Sequence, residues 1–204
     1  MSTYHHGDLR PALVDAASAI LDEGGINALS LRGVARRAGV SQAAPYHHFK
    51  DKEDLLAAVA AQGFRALTSG LKHAGGETPV DPRSRLQALG RAYVDFAVAH
   101  PGMFGVMFGP GIPDHHVYPD LIDAGRTAYG ILADAVAAVL GHEASPRCAT
   151  ATVGAWGLVH GLAVLFAEGR IGRDLHMADI VTDATGAYAA GLAAVIHNEP
   201  ENHR

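Results

Sequence analysis

Cysteine is almost absent from this 204-residue chain: Cys148 is the only one. No intramolecular disulfide framework can form, which fits a reducing cytoplasm. Charged residues make up 18% and aromatics 6%, and the formal net charge of −5 excludes a molecule coated in basic residues for nucleic acid. A long unbroken apolar run is missing too. The longest uncharged stretch, Cys148 to Ala167, is interrupted by Gly154, Gly157, His160 and Gly161. A buried or interface helix is expected there, not a membrane span. The opening MSTYHHGDLR has none of the apolar character of a secretory leader, so a cytoplasmic location is expected. No HExxH motif, phosphate loop, nucleophile elbow or paired-carboxylate motif occurs, so neither an enzyme nor a cofactor is expected.

What is present is helical spacing throughout, with no alternating strand pattern. The chain reads as all-α, with about nine helices. Leu13, Val14, Ala17, Ile20 and Leu21 form one apolar stripe, stopped at Glu23–Gly25. Ser30 is placed to cap a short helix, Leu31 to Ala38, that ends at Gly39. Ser41 is placed to cap a third helix, and Asp51 a fourth that carries Leu55, Leu56, Val59, Gly63, Phe64, Leu67 and Leu71 on one side. The Gly- and Pro-rich stretch from His73 to Pro82 reads as a loop. A helix bearing Leu86, Leu89, Tyr93, Phe96 and Ala97 follows. His100 to His116 reads as a short helix and a loop, and three long helices cover Val117–Leu140, Pro146–Glu168 and Met177–His197.

Charge is unevenly spread. Residues 1–52 hold six Lys/Arg against five Asp/Glu, leaving ten against sixteen for the remainder. A polyanion therefore belongs with the N-terminal quarter. Two short helices joined at Gly39, with small Ala35 between them and Val34 and Val40 to fill the wedge, have the makings of a helix-turn-helix. Its second helix would present Ser41, Gln42, Ala43 and Ala44 to base edges. Gln42 has the amide to pair with adenine, while the alanines offer methyl contacts to thymine. Tyr46, His47 and Lys52 are then placed for phosphates, together with the amides near Ser30–Arg32. Pro45, one turn from the cap, costs the helix little.

The stretch LSLRGVARRAGVSQAAPYHHFKDKEDLLAAV (Leu29 to Val59) resembles the N-terminal domain of the TetR family of bacterial transcriptional regulators. Tyr46, His48, Phe49, Lys52, Leu55 and Leu56 match the pattern's fixed positions, and Tyr4 to Leu13 resembles the first helix of many members. The resemblance implies that Ser41, Gln42, Ala43 and His47 meet bases or adjacent phosphates. It implies that Arg32, Tyr46, His48 and Lys52 hold the DNA backbone, with Phe49 in the core below. Gly33 stands where an acidic capping partner is common, and Pro45 where leucine is common.

The second half resembles one C-terminal type of that family, marked by Trp156, His160 and Gly161 within AWGLVHGLAVL, and HPGMFGVMFGP (His100 to Pro110) fits the same type. The domains expected are 1–52 for DNA reading, a linking helix 53–73, and 74–204 for ligand sensing and dimerisation. Tyr93, Phe96, Met103, Phe104, Met107, Phe108, Tyr129, Trp156 and His160 are the candidate contacts of a small hydrophobic or amphipathic effector. The apolar helix Thr150–Phe166 and the small residues of Gly186–Val195 point to a homodimer formed through the last two long helices, reading a palindromic double-stranded operator. A ligand-responsive repressor is the function expected.

Core packing is the rival role for each of the nine candidate contacts. The thirteen histidines raise a metal-sensing or metal-binding helical protein as an alternative. Adjacent His5–His6 and His115–His116 point apart, however, and Cys148 has no partner at ligand spacing, so no metal is expected. A helical interaction module without DNA binding is the remaining alternative.

Overall fold

Apolar residues at helical spacing and prolines at first helical positions set the elements of the chain. The computed structural model describes residues 9–76, 81–112, 114–141, 146–172 and 174–197. The helices are α1 (Leu9–Ala28), α2 (Leu31–Arg37), α3 (Lys52–Gly75), α4 (Pro82–Ala99), α5 (Pro101–Phe108), α6 (Pro119–Leu140), α7 (Pro146–Ala167) and α8 (Met177–His197). Two 3-10 turns, Ala44–His47 and His115–Val117, complete the order, and no strand occurs among the described residues. The all-α expectation holds. Four of the helices (α4 to α7) start at proline, where the missing N–H would have had no intrahelical partner.

Two of the expected boundaries shift. α1 does not stop at Glu23–Gly25: its backbone breaks at Gly25 (φ 68°), and one further turn runs to Ala28. α3 extends through His73 to Gly75, so the expected loop begins later, and its residues 77–80 lie outside the described set.

The chain divides into two units. The first holds the residues up to Ala66 together with His100–Arg126; the second holds Leu67–Ala99 and Thr127 onward. The division expected from sequence, 1–52 with helix 53–73 and then 74–204, assigned His100–Arg126 to the second part. The physical reason for the difference lies on α5. Its Met103, Phe104, Val106 and Met107 are buried, and Asp22 of α1 caps its first turn by accepting Gly102 N–H at 3.0 Å.

In the first unit, Leu13, Val14, Ala17 and Leu21 of α1 are buried with Val34 and Ala35 of α2, Phe49, and Leu55, Leu56 and Val59 of α3. Each large apolar side chain buried there is worth about 1.5–3 kcal/mol. In the second unit α4 packs on both α7 and α8. Leu86, Leu89 and Val94 are buried there with Ala155, Val159 and Ala163 of α7 and Val181, Ala189 and Ala193 of α8. The one described helix long and apolar enough to cross a membrane is Arg147–Ala167, and only 28% of its most apolar stretch is buried within the chain.

Candidate functional site

The reading element is built by local rules. Ser30 is extended (φ −147°), and its Oγ accepts Gly33 N–H at 3.1 Å, starting α2. The cap works although Gly33 carries no acidic side chain to return the bond. At the other end Ala38 N–H donates to Val34 O and Val40 N–H to Ala35 O, with Gly39 at φ 69° between them. That left-handed position is open to glycine at little cost.

The segment that follows is not the α-helix expected from Ser41 onward. Ala44 N–H donates to Ser41 O, Tyr46 N–H to Ala43 O and His48 N–H to Pro45 O, all three residues apart. Pro45 has no N–H with which to reach Ser41 O, and in an α-helix its ring would strike that carbonyl. Tighter 3-10 winding is the consequence.

Along this turn Ser41, Gln42, Ala43, Tyr46 and His47 are exposed, while Pro45 and Phe49 are buried. Tyr46, 54% exposed, displays a large ring that the core does not claim. Arg32 is exposed on α2. His48 is half-buried with its ring tilted against Phe49, centroids 6.5 Å apart. Lys52 is half-buried, and its Nζ donates to Ile26 O at 2.7 Å. An ammonium carries three donors, so this bond leaves it two more. Unforeseen from the sequence are Arg10, whose guanidinium lies 5.2 Å from the Phe49 ring centroid, and the Arg37–Glu23 pair, with bonds of 2.6 and 2.7 Å. Neither partner lies near the other in sequence, and no local signal marks them.

The nine candidate effector contacts fall into two groups. Met103, Phe104, Met107 and Phe108 belong to α5 in the first unit, where the Phe108 ring meets Phe104 at 4.9 Å and Phe64 at 5.4 Å. The other five, Tyr93, Phe96, Tyr129, Trp156 and His160, belong to the second unit, and four of them touch in a chain. Tyr93 Oη shares a 2.9 Å hydrogen bond with His160 Nδ1 and accepts Trp156 Nε1–H at 3.3 Å. The Trp156 ring stands edge-on to Tyr129 and to His160, at 6.3 and 6.1 Å. Trp156 and Tyr129 are partly exposed, 37% and 41%, whereas Tyr93 is buried.

Burial pushes the Tyr93 phenol well above its usual range, a rise the Trp156 bond partly offsets. Burial also lowers the His160 imidazole, favouring the neutral ring. The cluster is therefore an uncharged, hydrogen-bonded aromatic set. A second polar group was not foreseen: Thr68 Oγ1 on α3 is buried and has no hydrogen-bond partner among the described residues. No sequence signal distinguishes it from other threonines. No group of three or more metal-ligating side chains occurs among the described residues, and His5–His6 lie outside them.

A capped helix, a glycine turn and an exposed turn seated on a buried Pro45 and Phe49, ahead of an otherwise helical chain, define a helix-turn-helix DNA-binding protein. Comparisons with known proteins agree. Residues 13–59 match the model for bacterial regulatory proteins of the tetR family, and residues 86–188 match the model for the tetracyclin repressor-like C-terminal domain. The uncharacterized HTH-type transcriptional regulator YobS of Bacillus subtilis (strain 168) is 24% identical over 187 residues, covering 88% of this chain and 90% of that one. A solved structure of a protein with unknown function from Rhodococcus sp. RHA1 is 35% identical, with a TM-score of 0.79 over 95% of this chain and 100% of that chain. The transcriptional regulator FadR from Bacillus subtilis, solved in complex with stearoyl-CoA, shares the fold at 13% identity, with a TM-score of 0.72 over 89% of this chain and 98% of that one. The chain belongs to the TetR family and is a DNA-binding transcriptional regulator.

Proposed function

We propose that this chain is a cytoplasmic, ligand-responsive repressor that binds a palindromic operator as a homodimer and leaves it when an apolar or amphipathic effector binds. The observation that carries the DNA half is the reading turn itself: Ser41, Gln42, Ala43, Tyr46 and His47 are exposed on a turn anchored by buried Pro45 and Phe49. Gln42 is assigned to base reading, Ser41 and Ala43 to the adjoining groove floor, and His47 to bases or the adjacent phosphate. Arg32, Tyr46, His48 and Lys52 are assigned to the backbone.

The dimer assignment rests on α7 and α8. Thr150, Val153, Gly157, Gly161 and Leu165 form an exposed stripe along α7, and Ala187, Ala190, Gly191 and Ala194 form one along α8. A Cβ added at Gly157, Gly161 or Gly191 would meet nothing within 4 Å. Apolar faces with small residues let a second copy approach closely, as in a four-helix contact. A palindromic operator asks a two-fold pair to meet half-sites one DNA repeat apart, roughly 34–36 Å.

Two features support the effector half. One is the neutral Tyr93–His160–Trp156 set, edged by Tyr129, with Phe96 on the same helix as Tyr93; the other is the partnerless Thr68 hydroxyl. Few polar anchors among rings and alkyl chains favour a hydrophobic molecule with one polar end, in keeping with the stearoyl-CoA held by the fold-related FadR. The α5 group, Met103, Phe104, Met107 and Phe108, is the second set of candidate contacts. An effector shifts the equilibrium only by its differential affinity for the two conformations.

Gel-shift titration against the DNA upstream of the chain's own gene, followed by long-chain acyl-CoA, tests both halves. Salt-sensitive, sequence-selective binding relieved by the acyl-CoA is expected. Absence of selective binding at any salt concentration would remove the DNA assignments, and binding untouched by the acyl-CoA would remove that effector class.

A further inference from the structure

The last turns of α1 bond three other elements of the first unit through closely spaced residues. Asp22 Oδ1 accepts Gly102 N–H at 3.0 Å and Met103 N–H at 3.4 Å, two donors that the first turn of α5 cannot satisfy within its own helix. One residue on, Glu23 takes both guanidinium bonds of Arg37 at the end of α2, and that pairing holds its carboxyl below the usual range. Three residues further, Ile26 O accepts Lys52 Nζ from the start of α3. Gly25, at φ 68°, breaks the helix between the second and third of these bonds.

The seat of α5 is closer than hydrogen bonds alone require. A Cβ at Gly102 would overlap the Leu21 carbonyl and stand 2.6 Å from Asp22 N, and backbone atoms cannot swing aside. Beyond α5, a Cβ at Gly111 would stand 2.7 Å from Ile26 Cδ1. Close-packed contacts of this kind pass on a displacement where loose side-chain contacts would absorb it.

We infer that residues 21–26 form a positioning joint for DNA reading. The joint ties α2, through Glu23, and the start of α3, through Ile26, to the place where α5 sits. The reading turn lies between α2 and α3 in the chain, so its frame is set by both. Asp22 is a positioning residue that acts through its bonds to the first turn of α5 and touches no base or phosphate. The inference rests on the helix-turn-helix reading and needs neither the dimer nor the effector.

The test compares Asp22→Ala with Asp22→Asn, which keeps an acceptor oxygen. Asp22 is exposed, so both variants are expected to fold, and thermal melting checks this. Amide hydrogen exchange on the full DNA-free chain reads the joint directly. Peptides covering 39–50 are expected to exchange about fivefold faster or more in Asp22→Ala, and near wild-type rates in Asp22→Asn, with α7 unchanged in both. Affinity for a duplex that the wild-type chain selects from a random pool is expected to change by about threefold or more in Asp22→Ala alone. Gly102→Ala perturbs the same contact from the α5 side and is expected to speed the same peptides. A folded Asp22→Ala with wild-type exchange over 39–50 overturns the joint, and so does an Asp22→Asn that behaves like Asp22→Ala. Failure to select any duplex counts against the DNA assignments, and the exchange arm still decides the joint.

Discussion

Replacing Tyr93 by phenylalanine removes one oxygen from the centre of the aromatic set and leaves its ring in place. Tyr93 is 7% exposed, so apolar burial hardly changes. The losses include the 2.9 Å bond to His160 Nδ1 and the 3.3 Å bond from Trp156 Nε1. An intramolecular hydrogen bond contributes about 0.5–1.5 kcal/mol net, while a buried group left without its partner costs about 1–3 kcal/mol. Trp156 is 37% exposed, so water replaces much of what its indole loses. The His160 side of the pair carries most of the effect. Together the two losses come to about 1–2 kcal/mol. For a chain of this size that corresponds to a fall of about 2–8 °C in melting temperature. Thermal melts of wild type and Tyr93→Phe, at one protomer concentration because a dimer makes melting concentration-dependent, measure it. A variant that melts within about 1 °C of wild type would show that the shared oxygen stabilises nothing. The hydrogen-bonded cluster would then be reduced to rings in van der Waals contact.

Four further outcomes are expected. Lys52→Ala should weaken binding to all duplexes and flatten the salt dependence by about 0.9 per half-site in log–log slope; an unchanged slope takes Lys52 out of the phosphate set and leaves it only the bond to Ile26. Gln42→Ala should relax preference at one base pair per half-site, a discrimination of about 1–3 kcal/mol, and the same consensus in a selection experiment would show that Gln42 reads nothing. Burial lowers the His160 imidazole in the folded chain, so between the folded value and the unfolded value of about 6.5 the unfolded chain binds more protons. The stability contributed by neutral His160 is thus present above pH 6.5 and lost as pH falls through that window. His160→Gln should flatten this part of the stability–pH curve, and an unaltered slope in urea melts would refute the burial. Gly157→Glu places a charge on the exposed stripe of α7, and sedimentation should show the dimer dissociating; a dimer that persists puts the interface elsewhere.

Much of the reading element was legible because its determinants lie within a few residues of one another. Ser30 caps α2 and Asp51 caps α3, where Asp54 N–H donates to Asp51 Oδ1 at 2.9 Å. Gly39, expected as the joint between the two elements, has the positive φ that such a turn requires. Pro45 was underestimated: a small cost to a helix was expected, and the segment winds as a 3-10 turn instead. Its one missing donor changes the winding when no other bond compensates, and that depends on how Phe49 and the start of α3 are seated. Illegible altogether were Lys52 on the Ile26 carbonyl, Asp22 on α5 and Arg10 over Phe49, since each joins residues at least 26 positions apart with no periodic signal.

By itself the sequence determined the class of this protein. Helical period, caps, the glycine turn and the spacing of Tyr46, His48, Phe49 and Lys52 are local quantities, and local chemistry is enough to specify a helix-turn-helix ahead of further helices. The tertiary structure alone decided how the apolar residues of the second half divide. It set Met103, Phe104 and Met107 in the first unit, and it joined Tyr93, Trp156 and His160 by hydrogen bonds across two helices. Periodicity states that a residue faces inward. Which partner it meets there depends on how whole helices cross, and that is settled by the packing of the entire unit.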